Sequence, residues 1–400
     1  MRETSSHHFL SRKLIALLAF AVGVIAANLY YAQPLTAQIA HSLGLQISIA
    51  GLIVTLIQVG YGMGVLFLVP LADLFENRRL ILSMVALAVV ALIGVATSNQ
   101  VIPYFISAFF LGVGASAVQI IVPYAAHLSP EHKRGQVVGN LMSGLMMGIM
   151  LSRPIASLLT DLISWHAVFY LSAIFMSIMA TFLYFKLPTR KPNSKNIHYL
   201  ELLASMSKLL VTYSVLRRRA FYQACMFCAF CIFWTATPLV LAGPAFHLSQ
   251  TEIAIFALVG VAGAILAPIA GKLADRGWTK TATFIGMSAG GLAFLITHLA
   301  NLGSIASLVL LTIGAVLLDA GVTANLVMGQ REIFSLPSEL RARLNSIYIA
   351  IIFIGGSFGS FIGAWAYAHG NWNLTSWIGF AFPTIGLIVF ATESTAKVEQ

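Results

Sequence analysis

The stretch YYAQPL at 30–35 reappears in altered form as WTATPL at 234–239, an offset of 204. Both copies start on an aromatic residue and close on Pro-Leu inside long apolar runs. Two further markers keep the same order: LAD at 71–73 recurs at 273–275, and Arg134 corresponds to Arg341, offsets of 202 and 207. Three markers with nearly equal spacing point to two copies of one unit, parallel in chain direction. In a membrane, such halves pack around an axis along the membrane normal and hold a substrate site near midplane.

Working outward, the composition demands a membrane. The 400 residues are 59% hydrophobic and 9% charged, with mean hydropathy +0.89. Soluble domains carry about 25% charged residues. Apolar runs long enough to cross about 30 Å of hydrocarbon lie near 13–35, 48–71, 79–98, 101–127, 135–162 and 166–187. Six more follow near 219–241, 250–273, 280–300, 303–330, 341–368 and 373–391. The expected fold is an all-α integral membrane protein with twelve transmembrane helices in two pseudo-symmetric six-helix bundles, 1–187 and 219–400. Residues 188–218 form the connection, with an amphipathic helix over 197–216.

The net charge of +10 is confined to breaks between spans. Of the 23 Lys and Arg residues, Arg153 alone falls outside the loops of one side. That bias puts both termini and the connection in the cytoplasm, and it argues against a nucleic-acid-binding face. The N-terminal polar segment leads into a first helix that is too long for a secretory signal core and is expected to be retained. Cys225, Cys228 and Cys231 share one helix face but lack a completing ligand, so they read as a packing stripe. No cofactor or metal is expected, and no GxxxxGK[ST] sequence is present to bind ATP.

These features resemble the major facilitator superfamily. Its loop signature between spans two and three runs G-x-L-A-D-R-x-G-R-R, and GKLADRG at 271–277 matches it well. The first copy, VPLADLFENRR at 69–79, keeps Leu71, Ala72, Asp73, Arg78 and Arg79 but has Val69, Leu74 and Glu76 at signature positions. The resemblance implies a cytoplasmic gate of Asp73, Arg78, Asp275 and Arg276, with loop charges that only fix topology as the alternative. Span five, GLMMGIMLSRPIASL at 144–158, is similar to the antiporter signature in keeping Gly144, Gly148 and Pro154, yet it inserts Arg153. Ala108 stands where the efflux branch often carries arginine.

Charges deep in spans are costly unless paired or facing water, and so mark function. Asp319 lies about 18 Å along its helix from Arg331, near midplane. There a carboxyl is placed to take up and release a proton as access alternates; hydrogen bonding for structure and recognition of a cation are the alternatives. Arg153, about 27 Å along its helix from Gly135, is a fixed cation with five donors. It suits a substrate anion, coupling to Asp319, a structural pairing or snorkelling. Asn28, Gln33, Gln58, Gln119, Asn140 and Asn325 are candidate cavity amides, each equally able to bridge helices. Tyr30, Tyr31 and Trp234 are candidate gate or stacking residues, with interface anchoring as the alternative. Glycines at four-residue spacing, such as Gly144 and Gly148, suggest close helix packing.

The function that fits is a secondary transporter of a bacterial inner membrane, by resemblance a proton-coupled exporter of a small organic compound acting as a monomer in lipid. Import or facilitated diffusion of a metabolite, a polytopic membrane enzyme and a transporter-like sensor are the competing readings. The enzyme reading suffers from the lack of a His, Asp or Glu cluster near one interface.

Overall fold

The computed structural model describes residues 11–130, 133–191, 198–260 and 276–393. The first helices are α1 (Arg12–Ala27), α2 (Thr36–Ser42), α3 (Ile47–Asp73), α4 (Asn77–Thr97) and α5 (Val101–His127). Then come α6 (Arg134–Leu162), α7 (Trp165–Lys186), α8 (Tyr199–Thr212), α9 (Ser214–Ala242) and α10 (Gln250–Gly260). The last are α11 (Thr279–Leu299), α12 (Ile305–Phe334) and α13 (Arg341–Ala391). No strand occurs among the described residues.

Nine of these helices are long and apolar enough to cross a membrane. Twelve spans emerge because α13 is two spans in one run of 51 residues, broken at Gly370 and Asn371, where the backbone is not helical. Asn371 has φ of 50°, a left-handed region that asparagine tolerates better than most residues. The first span is α1 with the turn that follows it, and α10 opens the eighth, the rest of which lies outside the described residues. The connection carries its expected short helix as α8.

Serines set several helix starts. Ser11 accepts from the Leu14 amide at 3.2 Å, and Ser304 from that of Ser307 at 3.1 Å. Ser249 and Glu252 form a reciprocal capping box at α10. These contacts satisfy amides that a helix start leaves unbonded.

The chain divides into two compact units. The first contains residues 1–32 and 56–205, and the second 33–55 and 206–400. In the first, α1 packs on α6 through glycines, and α4 packs on α5 and α7. In the second, α9 is buried along almost its whole length, with α11, α12 and α13 around it. The 33–55 segment joins this unit by contacts such as the Thr55 hydroxyl donating to the Ser357 carbonyl at 2.9 Å.

One expectation needs correction. The first span does not run helically to residue 35; regular helix stops at Ala27, and 28–35 is a chain of turns. The cause precedes the proline. Asn28 folds its amide back onto the carbonyls of Val24 and Ile25, at 2.9 and 3.4 Å, satisfying acceptors that a continuing helix would have used. In the second copy, Pro238 is accommodated inside α9, which continues to Ala242. The repeat is therefore symmetric in sequence and asymmetric in backbone: one copy is a turn, the other a helix.

Candidate functional site

In the second unit, α9 and α12 carry a buried polar seam. The Trp234 indole N–H donates to Asp319 Oδ1 at 2.9 Å, with Trp234 2% and Asp319 5% exposed. Sequence had nominated the two separately, one as gate and one as proton carrier; the fold joins them. Phe230, Phe233 and Phe256 surround the indole with ring centroids 5.7–6.4 Å away. Such packing fixes the donor's direction, so the bond to Asp319 is preorganised. Further along the same helix pair, Asn325 donates to Gln223 Oε1 at 2.7 Å, and Gln223 donates to the Val322 carbonyl at 3.3 Å. Asn325 is thus engaged between helices, with a partner, Gln223, that the sequence reading passed over.

The first unit has its own polar constellation at the α1 turn. Arg153, 2% exposed on α6, holds its guanidinium 5.3 Å from the centre of the Tyr30 ring, a cation–π contact. Asn28 is fully buried and accepts a 2.6 Å hydrogen bond from Ser172 on α7, and Tyr31 hydrogen-bonds the same serine. Gln119 donates to the Tyr61 hydroxyl at 2.9 Å. Gln58 is buried, and Asn140 is exposed on α6. Gln33 is fully buried and belongs to the second unit. Of the six amides, Asn28, Gln58, Gln119 and Asn140 belong to the first unit and Gln33 and Asn325 to the second.

The basic loops show where the signature residues go. Arg78 donates to the Tyr184 carbonyl on α7 and lies over the Tyr184 ring. Asp73 is exposed, and its charge acts on Arg190 at the start of the connection. Burial pulls the Arg190 guanidinium below its ordinary pKa, while Asp73 and the Tyr124 phenol oppose the shift. Glu76, at a position where the signature has glycine, accepts from the backbone amides of Arg78 and Arg79 at 2.8 and 3.1 Å. It also accepts from the Arg190 amide at 3.3 Å, so it starts α4 and holds the connection at once. Sequence marks Glu76 only as a departure from the signature and does not mark Arg190, although an acid just before a helix is a recognisable capping signal. Arg276 is exposed, and Asp275 lies outside the described residues.

By sequence Arg219 is one of the basic residues between spans. It is buried, 3.6 Å from Glu393, and donates to the Thr283 hydroxyl at 3.0 Å. Tyr222 donates to the other oxygen of Glu393 at 3.3 Å. Removing the acid leaves a buried cation without its counter-charge. Glu393→Gln is expected to cost about 2–3 kcal/mol, below the usual range for buried pairs because the acid keeps 22% exposure. Thermal unfolding of the purified protein measures it, with the exposed Arg341→Gln as a control expected to change little.

Among the described residues, no group of three or more His, Cys, Asp or Glu is arranged to hold a metal ion. Long apolar helices, two units and a few buried polar contacts deep in the spans define a polytopic helical carrier of the membrane. The family model described as Major Facilitator Superfamily matches residues 16–333, and the chain belongs to that family. It is a transporter of that type.

The chain is 38% identical over 387 residues to the "Uncharacterized transporter YgaY" of Escherichia coli O157:H7, covering 97% of each chain. It is 28% identical to the "Probable transporter SCO4007" of Streptomyces coelicolor, over 94% of this chain and 86% of that one. Among solved structures, the nucleoside transporter NupG matches with TM-score 0.74 at 12% identity, over 94% and 99% of the two chains. A POT family transporter in complex with 5-aminolevulinic acid matches with TM-score 0.74 at 16% identity, over 94% of each. These structural likenesses speak for the fold.

Proposed function

We propose that the chain is a proton-coupled antiporter of a bacterial inner membrane that exports a small organic compound by alternating access. It acts as a monomer with both termini in the cytoplasm. The observation that carries this reading is the buried Asp319 held by Trp234. A carboxyl can lose its charge to a proton, as Arg153 cannot. An ionisable acid buried at that depth is costly, and such residues mark ion and substrate pathways. Alternating access exposes it to one side of the membrane and then the other, so each proton it carries inward offsets one outward step of the substrate.

The test uses inverted vesicles with an acid interior and a cationic dye, ethidium, and an aromatic carboxylate, benzoate, as probes. Expected is accumulation of at least one probe that collapses with the proton gradient. Accumulation only in right-side-out vesicles would replace export with import, and flux indifferent to the gradient would remove coupling altogether.

A further inference from the structure

Two hydroxyls on α6 behave unlike their neighbours. Serine and threonine within a helix usually turn the hydroxyl back to a carbonyl three or four residues earlier. Ser143, Ser152, Ser177 and Thr181 on α6 and α7 all do so, at 2.6–3.0 Å. Ser157 Oγ and Thr160 Oγ1 do not: both atoms are buried, and neither makes a hydrogen bond among the described residues. Ser157 is wholly inaccessible. Leaving such groups unsatisfied lowers stability, so their presence calls for a ligand, water or ion that completes them.

Their position on the helix says which. Ser157 is four residues and Thr160 seven residues after Arg153, and that spacing puts all three on one face of α6. At the head of the row is a guanidinium, a permanent charge with five donors in a planar fork. Its approach is flanked by the Tyr30 ring at 5.3 Å, an apolar surface against which a flat group can stack. Two rotatable hydroxyls continue the row. The set is rich in donors and carries one positive charge, so it complements an acceptor-rich monoanion, and a carboxylate matches the fork in bidentate fashion. A phosphate dianion would leave charge uncompensated at a single guanidinium.

We propose that Arg153, Ser157 and Thr160 bind the anionic group of the transported compound, which makes the substrate class organic carboxylates, with an aromatic or other flat body lying on Tyr30. The binding site stands on these residues; only the statement that the ligand is transported rests on the carrier reading above. Helix α6 then has two tasks, close packing through its glycines and recognition beyond Pro154. The two hydroxyls are kept at a cost to the empty protein because the ligand uses them.

Thermal unfolding of the purified protein in detergent tests this with benzoate, and with benzamide as its uncharged analogue. Benzoate is expected to raise the unfolding temperature in a saturable way and benzamide to leave it unchanged. Ser157→Ala and Thr160→Val should hold or raise the unfolding temperature of the empty protein while weakening benzoate about three- to tenfold, as loss of a charge-assisted bond does. Arg153→Gln should abolish the benzoate response, and Arg153→Lys should recover part of it.

Equal responses to benzoate and benzamide, or no response to either, would overturn the proposal. So would a Ser157→Ala protein that is less stable when empty and binds benzoate normally, because the hydroxyl would then be structural. The vesicle assay fails separately: benzoate binding without gradient-driven flux would remove the carrier mechanism and leave the site. Flux without benzoate binding would do the reverse.

Discussion

Replacing Asp319 with asparagine is expected to lower gradient-driven accumulation by on the order of tenfold or more, to the level of empty vesicles. The folded protein should remain. The substitution suits the question because asparagine keeps the shape of the side chain and an oxygen able to accept from Trp234, now 2.9 Å from Asp319 Oδ1. What it removes is the site for a proton. Exchange of substrate at equal pH on both sides, which needs no net proton movement, should persist within a few-fold. Asp319→Leu would blur the result, because it leaves the indole N–H buried without an acceptor, at about 1–3 kcal/mol. Wild-type accumulation in the asparagine variant would end the assignment of Asp319 as coupling residue.

Trp234→Phe separates the partner from the carboxyl. It keeps an aromatic ring among Phe230, Phe233 and Phe256 and deletes the donor together with part of the indole's volume. If orientation by the indole matters, this change slows turnover without abolishing coupling, a pattern distinct from that of Asp319→Asn.

The sequence revealed the architecture because the forces that set it act over whole segments. Twenty apolar residues or a basic loop are legible without knowing any contact, and the expected connection helix is present as α8. The turn at 370–371 also fell where two apolar runs abutted. Site geometry was less accessible, since it depends on which face of one helix meets another. Asp319 and Trp234 are 85 residues apart in the chain, and nothing local indicates that the indole aims at the carboxylate. Asn28 shows the same limit. An amide at a helix end reads equally as a cavity residue or a bridge between helices, and only the structure shows its bonds to its own backbone and to Ser172. Ser157 and Thr160 left no composition signal at all, because only a full hydrogen-bond accounting separates them from the serines and threonines that bond back to their helix.

The glycine seam between α1 and α6 leads to the other large effect. A Cβ built on Gly148 would lie 2.0 Å from the Gly23 carbonyl oxygen and 2.7 Å from the Gly23 Cα. Gly144 makes the same approach one turn earlier, 2.1 Å from the Ala19 carbonyl oxygen. Both obstacles are backbone, so no rotamer change can relieve them, and α1 must move bodily away. Gly148→Ala is therefore expected to destabilise the protein by about 1–3 kcal/mol through overpacking. A comparable change on the same helix predicts the opposite sign. Gly139 has no heavy atom within 4 Å of its added Cβ, and alanine there should stabilise by up to about 1 kcal/mol through helix propensity. Thermal unfolding of the two variants side by side isolates packing from propensity, since both exchange the same atoms. The consequence reaches the site as well. Gly23 is seven residues before Tyr30 and Gly148 five before Arg153, so displacing α1 pulls the Tyr30 ring off the guanidinium. Gly148→Ala should therefore weaken benzoate binding even at temperatures where it remains folded, and Gly139→Ala should leave it unchanged. If both variants behave alike, the seam is loose enough to adjust and Tyr30 is not held in place by it.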